Sequence, residues 1–136
     1  METLFIPPTK NTPEVRFDAD QGTFLLQGNS LPENAGDFYS PIIASLGEHL
    51  PVLTHPVRFE FRLPYFNSSS LKAIYLILTE AKKAMDQGME LECIWYVEDQ
   101  DEFMLDAGET FIEMVDLPLR IVDIPSDQDK QHPNAA

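Results

Sequence analysis

His55-Pro56-Val57-Arg58-Phe59-Glu60-Phe61-Arg62-Leu63 runs directly into Pro64-Tyr65-Phe66-Asn67-Ser68-Ser69-Ser70-Leu71-Lys72. In the first stretch Val57, Phe59, Phe61 and Leu63 share one side and Arg58, Glu60 and Arg62 the other, which is a strand with one buried face and one wet face. The second stretch leads from that strand through a short loop into a helix. A strand wet on one side calls for helices packed mainly on the opposite side of its sheet.

The flanking segments extend the same reading. Leu71 to Gln87 is a long helical stretch stopped by Gly88. Leu91, Cys93, Trp95 and Val97 alternate as a strand, Asp99 to Asp116 reads as helical, and Leu119 to Ile124 as a short final strand. Toward the N-terminus, Phe38, Tyr39, Ile42, Ile43, Leu46 and Leu50 recur at helical spacing. Pro41 sits inside that pattern, so the helix over 34–50 is either kinked there or restarted with Ser40 as N-cap and Pro41 at the first helical position. Glu14 to Phe17 and Thr23 to Gln27 are β-favouring runs joined by Asp18-Ala19-Asp20-Gln21-Gly22, a hairpin. Leu4-Phe5-Ile6 is a candidate edge strand.

The order β-β-α-β-α-β-α-β predicts an α/β fold. Its small mixed sheet has an antiparallel N-terminal hairpin, and right-handed helical crossovers join the later, parallel strands. Residues 1–125 are expected to form one domain and 126–136 a disordered polar tail.

Composition narrows the function. The 136 residues carry 23 Asp and Glu against nine Lys and Arg, a formal charge of −14. Nucleic-acid binding rests on Lys and Arg replacing counterions, so it is disfavoured, as is docking on an anionic membrane surface. No long apolar run or secretory pattern is seen, and a cytoplasmic location is expected. The single cysteine, Cys93, excludes a disulfide framework and alternates with Leu91 and Trp95 as a core residue would.

Specific chemistry is sparse. His49, His55 and His132 have no partners at metal spacing. The run from Asp99 fails as a calcium loop, having Met104 at its sixth position and Thr110 at its twelfth. No two glycines stand closer than six residues, so no phosphate-cradling loop exists. With no catalytic constellation, neither an enzyme nor a cofactor is expected.

Two segments stand out. Three hydroxyls, Ser68-Ser69-Ser70, open a helix. One of them as an N-cap explains that plainly. Alternatively, the unpaired N–H donors and positive dipole end at a helix start accept a phosphate at little local cost. Behind them Leu71, Ala73, Ile74, Tyr75, Leu76, Ile77 and Leu78 are interrupted only by Lys72, which leaves two apolar faces where a surface helix needs one. Either a second layer covers this helix or an apolar patch lies beside Ser68. The second segment is acidic. From Glu98 to Asp116 there are eight acidic residues and no basic one. Glu102, Asp106, Glu109, Glu113 and Asp116 form one stripe, with Met104, Ala107, Gly108, Phe111 and Val115 as the buried stripe. The acidic stripe is either a solvated face or a docking surface for a basic partner.

Thr9-Lys10-Asn11-Thr12-Pro13-Glu14-Val15, Gly28-x-Ser30-x-Pro32-Glu33-Asn34, Tyr65-Phe66-Asn67-Ser68-Ser69-Ser70 and Trp95-Tyr96 together resemble the SiaC family of bacterial regulatory phosphoproteins, from about Leu4 to Ile124. The resemblance implies a fold like that of anti-sigma-factor antagonists and a non-enzymatic partner switch. A dedicated Ser/Thr protein kinase modifies the first hydroxyl after the Asn of an Asn-Thr-Ser-Ser motif, and a metal-dependent protein phosphatase reverses it. The unmodified form binds a diguanylate cyclase and promotes cyclic di-GMP synthesis, favouring biofilm growth or aggregation. That hydroxyl falls on Ser68, with Ser in place of the family's Thr, and Ser69 and Ser70 are the adjacent alternatives. Tyr65, Phe66, Asn67, Leu71, Lys72 and Tyr75, with Glu102, Asp106 and Glu109 of the acidic stripe, are the expected partner-binding residues. The competing reading is a small acidic domain binding a cationic metabolite or a basic protein partner.

Overall fold

The computed structural model describes residues 3–125; the expected tail over 126–136 lies outside them. Six strands form one sheet in sequential order: β1 (Leu4–Ile6), β2 (Glu14–Asp18), β3 (Thr23–Gln27), β4 (Val57–Arg62), β5 (Leu91–Glu98) and β6 (Leu119–Ile124). The first three are antiparallel, with β2 and β3 closing the expected hairpin, and β3 through β6 run parallel. The crossovers carry α1 (Ala35–His49), α2 (Ser68–Asp86) and α3 (Glu102–Val115). When parallel strands follow one another in order, right-handed crossovers all place their helices on the same side. One face of the sheet is therefore left open.

The core lies between that sheet and the helices. Phe17, Phe24, Phe59, Phe61 and Trp95 of the strands meet Tyr39, Ile42 and Leu46 of α1, Ile74 and Ile77 of α2 and Phe111 of α3, all nearly inaccessible to solvent. Cys93 is part of this layer, and burial pushes its thiol up to about 12. On the open face the residues opposite the core are charged. Arg58 meets Glu60 at 3.4 Å and Glu92 at 3.7 Å, Arg62 meets Glu98 at 3.4 Å, and Arg120 meets Glu92 at 3.5 Å. The Tyr96 hydroxyl donates to Glu60 at 2.9 Å. Ile94 lies on this same face yet is only 2% exposed, covered by its long polar neighbours. Apart from the half-buried Arg62–Glu98 pair, these are exposed pairs that contribute at most about 1 kcal/mol each, so they keep the face soluble more than they hold the fold.

Three local expectations resolve. α1 is a single helix through Pro41, capped by Asn34, whose side chain accepts from the Asp37 amide; Ser40 does not restart it. Ser40 instead donates its hydroxyl to the Gly36 carbonyl. α3 starts later than Asp99, because Asp99 and Gln100 take positive φ angles of 53° and 59° and form a turn. Asp101 then caps the helix, accepting from the Phe103 and Met104 amides. Of the expected buried stripe of α3, Met104, Gly108, Phe111 and Val115 are inside, and Ala107 is half-buried at its margin.

Gly108 is where α3 approaches the sheet most closely. A Cβ there would lie 2.7 Å from Trp95 Cδ1 and 2.9 Å from its Nε1. The indole cannot retreat freely, since its N–H donates to the Met104 carbonyl at 2.9 Å. Gly108→Ala is expected to lose about 1–2 kcal/mol in urea denaturation, overpacking outweighing the gain in helix propensity. Gly47→Ala, facing only the flexible Glu80 carboxylate at 3.4 Å, should be neutral or mildly stabilising. Cys93 should resist thiol reagents until the chain unfolds. Its pKa is raised in the folded state, so its contribution to stability is full below about pH 9 and is lost as pH rises toward 12. Denaturation midpoints across pH 8–11, compared with Cys93→Ala, measure this.

Candidate functional site

The loops leaving β3 and β4 run side by side at the C-terminal end of the parallel strands. The Gly28 amide donates to the Arg62 carbonyl and the Ser30 amide to the Tyr65 carbonyl, both at 2.9 Å; the Asn67 amide donates back to Ser30 at 3.0 Å. The turn over Thr9–Thr12 joins them, its Asn11 carbonyl accepting from the Leu31 amide at 2.6 Å. Three of the sequence segments quoted above thus converge on one end of the sheet.

At this junction α2 begins. Its cap is Asn67, in extended conformation, and not one of the serines. The Asn67 side-chain oxygen accepts from the Ser70 amide at 3.1 Å and from the Ser69 and Ser70 hydroxyls at 2.9 Å each. The amide side chain reaches the third helical residue, which leaves the three serines as the first turn of the helix. Their environments differ sharply. Ser68 is exposed and its hydroxyl makes no hydrogen bond among the described residues. Ser69 is exposed with its hydroxyl bonded to Asn67. Ser70 is fully buried, its hydroxyl 2.8 Å from that of Ser30, which is in turn 2.6 Å from the Tyr39 hydroxyl. Burial pushes the Tyr39 phenol up to about 12, opposed by its hydrogen bond to Ser30.

An aromatic patch flanks Ser68. Phe66 is 3% exposed and meets Trp95 edge-on, with ring centroids 6.3 Å apart. Phe103 packs on Phe66 at 5.4 Å, and Tyr65 stacks on Phe103 at 6.3 Å. Their outer surfaces are open: Tyr65 is 51% exposed, Phe103 53% and Leu71 43%. The apolar second face expected on α2 is therefore uncovered at Leu71, while Tyr75 is half-buried. Lys72 is exposed and has no ion-pair partner among the described residues. Glu102, Asp106 and Glu109 are all exposed on α3, beginning one residue before Phe103.

Of the expected site residues, Tyr65, Phe66, Asn67, the three serines and Leu71 stand at this junction, with Phe66 buried and Asn67 as the helix cap, whereas Tyr75, Asp106 and Glu109 lie further along α2 and α3. Sequence reasoning missed Phe103, Ser30 and Tyr39. Phe103 was visible as the one aromatic of the acidic helix lying off its buried stripe. Ser30 was visible only as a member of the Gly28-x-Ser30 motif, with no role attached, and Tyr39 read as one of the apolar positions of a helix. Among the described residues no cluster of His, Cys, Asp or Glu is arranged to hold a metal ion, and no helix is long and apolar enough to cross a membrane.

Known proteins share this fold. An uncharacterized protein of Pseudomonas aeruginosa (strain UCBPP-PA14) is 31% identical over 121 residues, covering 89% of this chain and 96% of the relative. The crystal structure of apo-SiaC from Pseudomonas aeruginosa superimposes with a TM-score of 0.81 at 29% identity, covering 90% of this chain and 98% of that one. A crystal structure of the diguanylate cyclase SiaD in complex with its activator SiaC, from the same organism, matches with a TM-score of 0.82 at 30% identity; 89% of this chain and 99% of that chain are covered. Residues 6–124 match the family described as SiaC family regulatory phosphoprotein, and the chain belongs to that family.

Proposed function

We propose that the chain is a non-enzymatic partner switch controlled by phosphate on Ser68, whose unmodified form binds and activates a diguanylate cyclase and so raises cyclic di-GMP. The observation that carries this reading is the environment of Ser68. It is an exposed hydroxyl with no competing hydrogen bond, in the first turn of α2 and close in sequence to the exposed Tyr65 and Leu71. The solved relative that activates a cyclase supports the choice of partner. A Ser/Thr kinase adds the phosphate and a metal-dependent phosphatase removes it in this scheme, and the molecule works in the cytoplasm.

The physical logic is one of desolvation. Tyr65, Phe103 and Leu71 supply apolar surface of the kind that marks interfaces, and Glu102, Asp106 and Glu109 lie on the neighbouring helix, where they favour a partner with basic groups. A phosphate adds about −1.5 to −2 charges. Covering it unpaired costs several kcal/mol, and each ~1.4 kcal/mol weakens binding tenfold.

Ser68→Ala should bind and activate the cyclase as the wild type does and should no longer respond to the kinase. Ser68→Asp should bind at least about tenfold more weakly in calorimetry. Equal binding by wild type, Ser68→Ala and Ser68→Asp would overturn the proposal.

A further inference from the structure

Three serines stand side by side at the start of α2, and the question is what singles out one of them. The hydroxyl protons can be placed by counting. Tyr39 is 1% exposed, and its hydroxyl has the Ser30 hydroxyl, at 2.6 Å, as its hydrogen-bond partner among the described residues. If Ser30 donated to Tyr39, the phenolic proton would be buried with no acceptor, an expensive arrangement. Tyr39 therefore donates to Ser30. The single Ser30 proton then serves the Ser70 oxygen, 2.8 Å away. The Ser70 proton is left for the Asn67 side-chain oxygen at 2.9 Å or the Ser30 carbonyl at 3.2 Å. Every hydroxyl proton in this buried cluster has an acceptor, and no buried side-chain polar atom lacks a partner among the described residues.

The result is a directed chain, Tyr39 to Ser30 to Ser70 to Asn67, that runs from α1 through the β3 loop to the cap of α2. We infer that this chain makes Tyr39 and Ser30 the residues that select the modified serine: they lock the Ser70 hydroxyl inside the molecule, tie up the cap, and leave Ser68 as the free acceptor of phosphate. The inference rests on the proposal that this segment is phosphorylated. Neither Tyr39 nor Ser30 needs to touch a kinase. They are positioning residues that act through the first turn of α2, where Ser69 is held by its own bond to Asn67. Serines differing only in order along the chain thereby become chemically unequal.

The test uses the full chain as wild type, Tyr39→Phe, which keeps the ring's shape, and Ser30→Ala. Hydrogen exchange of the backbone amides of residues 67–70 is followed beside those of β4 and β5. Phosphate is mapped over residues 65–72 by mass spectrometry of protein isolated from its native cells. In both variants, exchange at the two hydrogen-bonded amides of this stretch, Asn67 and Ser70, should be about fivefold faster, as expected for one lost hydrogen bond, with β4 and β5 unchanged. Phosphate found only on Ser68 in the wild type should appear on Ser70 as well in the variants. Unchanged exchange at 67–70, or an equal rise throughout β4 and β5, overturns the locking role, since uniform loss of stability would do the latter. Phosphate confined to Ser68 in all three proteins overturns the selection. A wild type with no phosphate on any of the three serines instead defeats the phosphorylation reading itself, and the exchange data still decide whether the hydroxyl chain holds the helix start.

Discussion

Ser30 is the residue on which the organisation of this end of the molecule depends. Its amide and carbonyl bond to the segment after β4, and its hydroxyl sits between Tyr39 and Ser70. The parallel sheet ends at Gln27 and Arg62, so without this bridge the two loops would diverge. Keeping them together costs burial of several polar groups in an apolar setting, which is tolerable only if all of them are paired. That requirement places a serine at position 30, with a donor and an acceptor in one small side chain. It also asks for the tyrosine's hydroxyl at position 39, because phenylalanine would leave Ser30 short of a donor. Local backbone geometry at the head of α2 thus depends on side chains from three separated parts of the sequence.

Charge is divided by the two faces of the sheet. All four described arginines, Arg16, Arg58, Arg62 and Arg120, lie on the sheet's open side, and the ion pairs found there join them to Glu14, Glu60, Glu92 and Glu98. A concentration of acid falls on the exposed side of α3, where Glu102, Asp106, Glu109 and Glu113 set like charges one turn apart, while Lys82 reaches Asp116 at 3.8 Å. Each such pair costs about 0.2–0.5 kcal/mol. The helix tolerates them because Met104, Gly108, Phe111 and Val115 bury its other side against the sheet. A face neutralised internally has little left to offer a charged partner. An uncompensated acidic helix carrying an exposed phenylalanine has more, which makes the α2–α3 end the stronger candidate for contact.

Much of this fold was legible because its signals are periodic. The alternation of Val57 to Leu63 and of Leu91 to Val97, with the hairpin turn at residues 18–22, specified strands that face helices on one side. The single-sided helix layer followed from the wet positions Arg58, Glu60 and Arg62. What escaped was decided by individual side chains competing for the same backbone donor. At the start of α2, asparagine and serine both cap well, and the winner is set by Asn67 adopting extended geometry while Ser70 is drawn into the core by Ser30. At the start of α3, the positive φ angles of Asp99 and Gln100 leave no trace in hydropathy. At Pro41, packing of Tyr39, Ile42 and Leu46 holds the helix together across a residue that cannot donate its bond. The site was legible to the extent that it is a contiguous segment. Its remote supports, Tyr39 and Phe103, are not contiguous with it.

The position of Ser68 also determines what kind of switch is physically available. A phosphate in the first turn of a helix is stabilised by the positive end of the dipole, so modification would strengthen α2 and not melt it. Lys72, one turn further along and without an ion-pair partner among the described residues, adds to that stabilisation. A mechanism based on unfolding the segment therefore runs against the electrostatics of the site. The consistent alternative keeps the backbone fixed and changes only what the surface offers: an apolar patch that can be dehydrated cheaply becomes one with a dianion at its margin that cannot. A rigid junction suits such a mechanism, because a flexible loop could turn the phosphate back toward water and let the partner dock. The buried hydroxyl chain supplies that rigidity, and it does so on the side of the helix start opposite to Ser68.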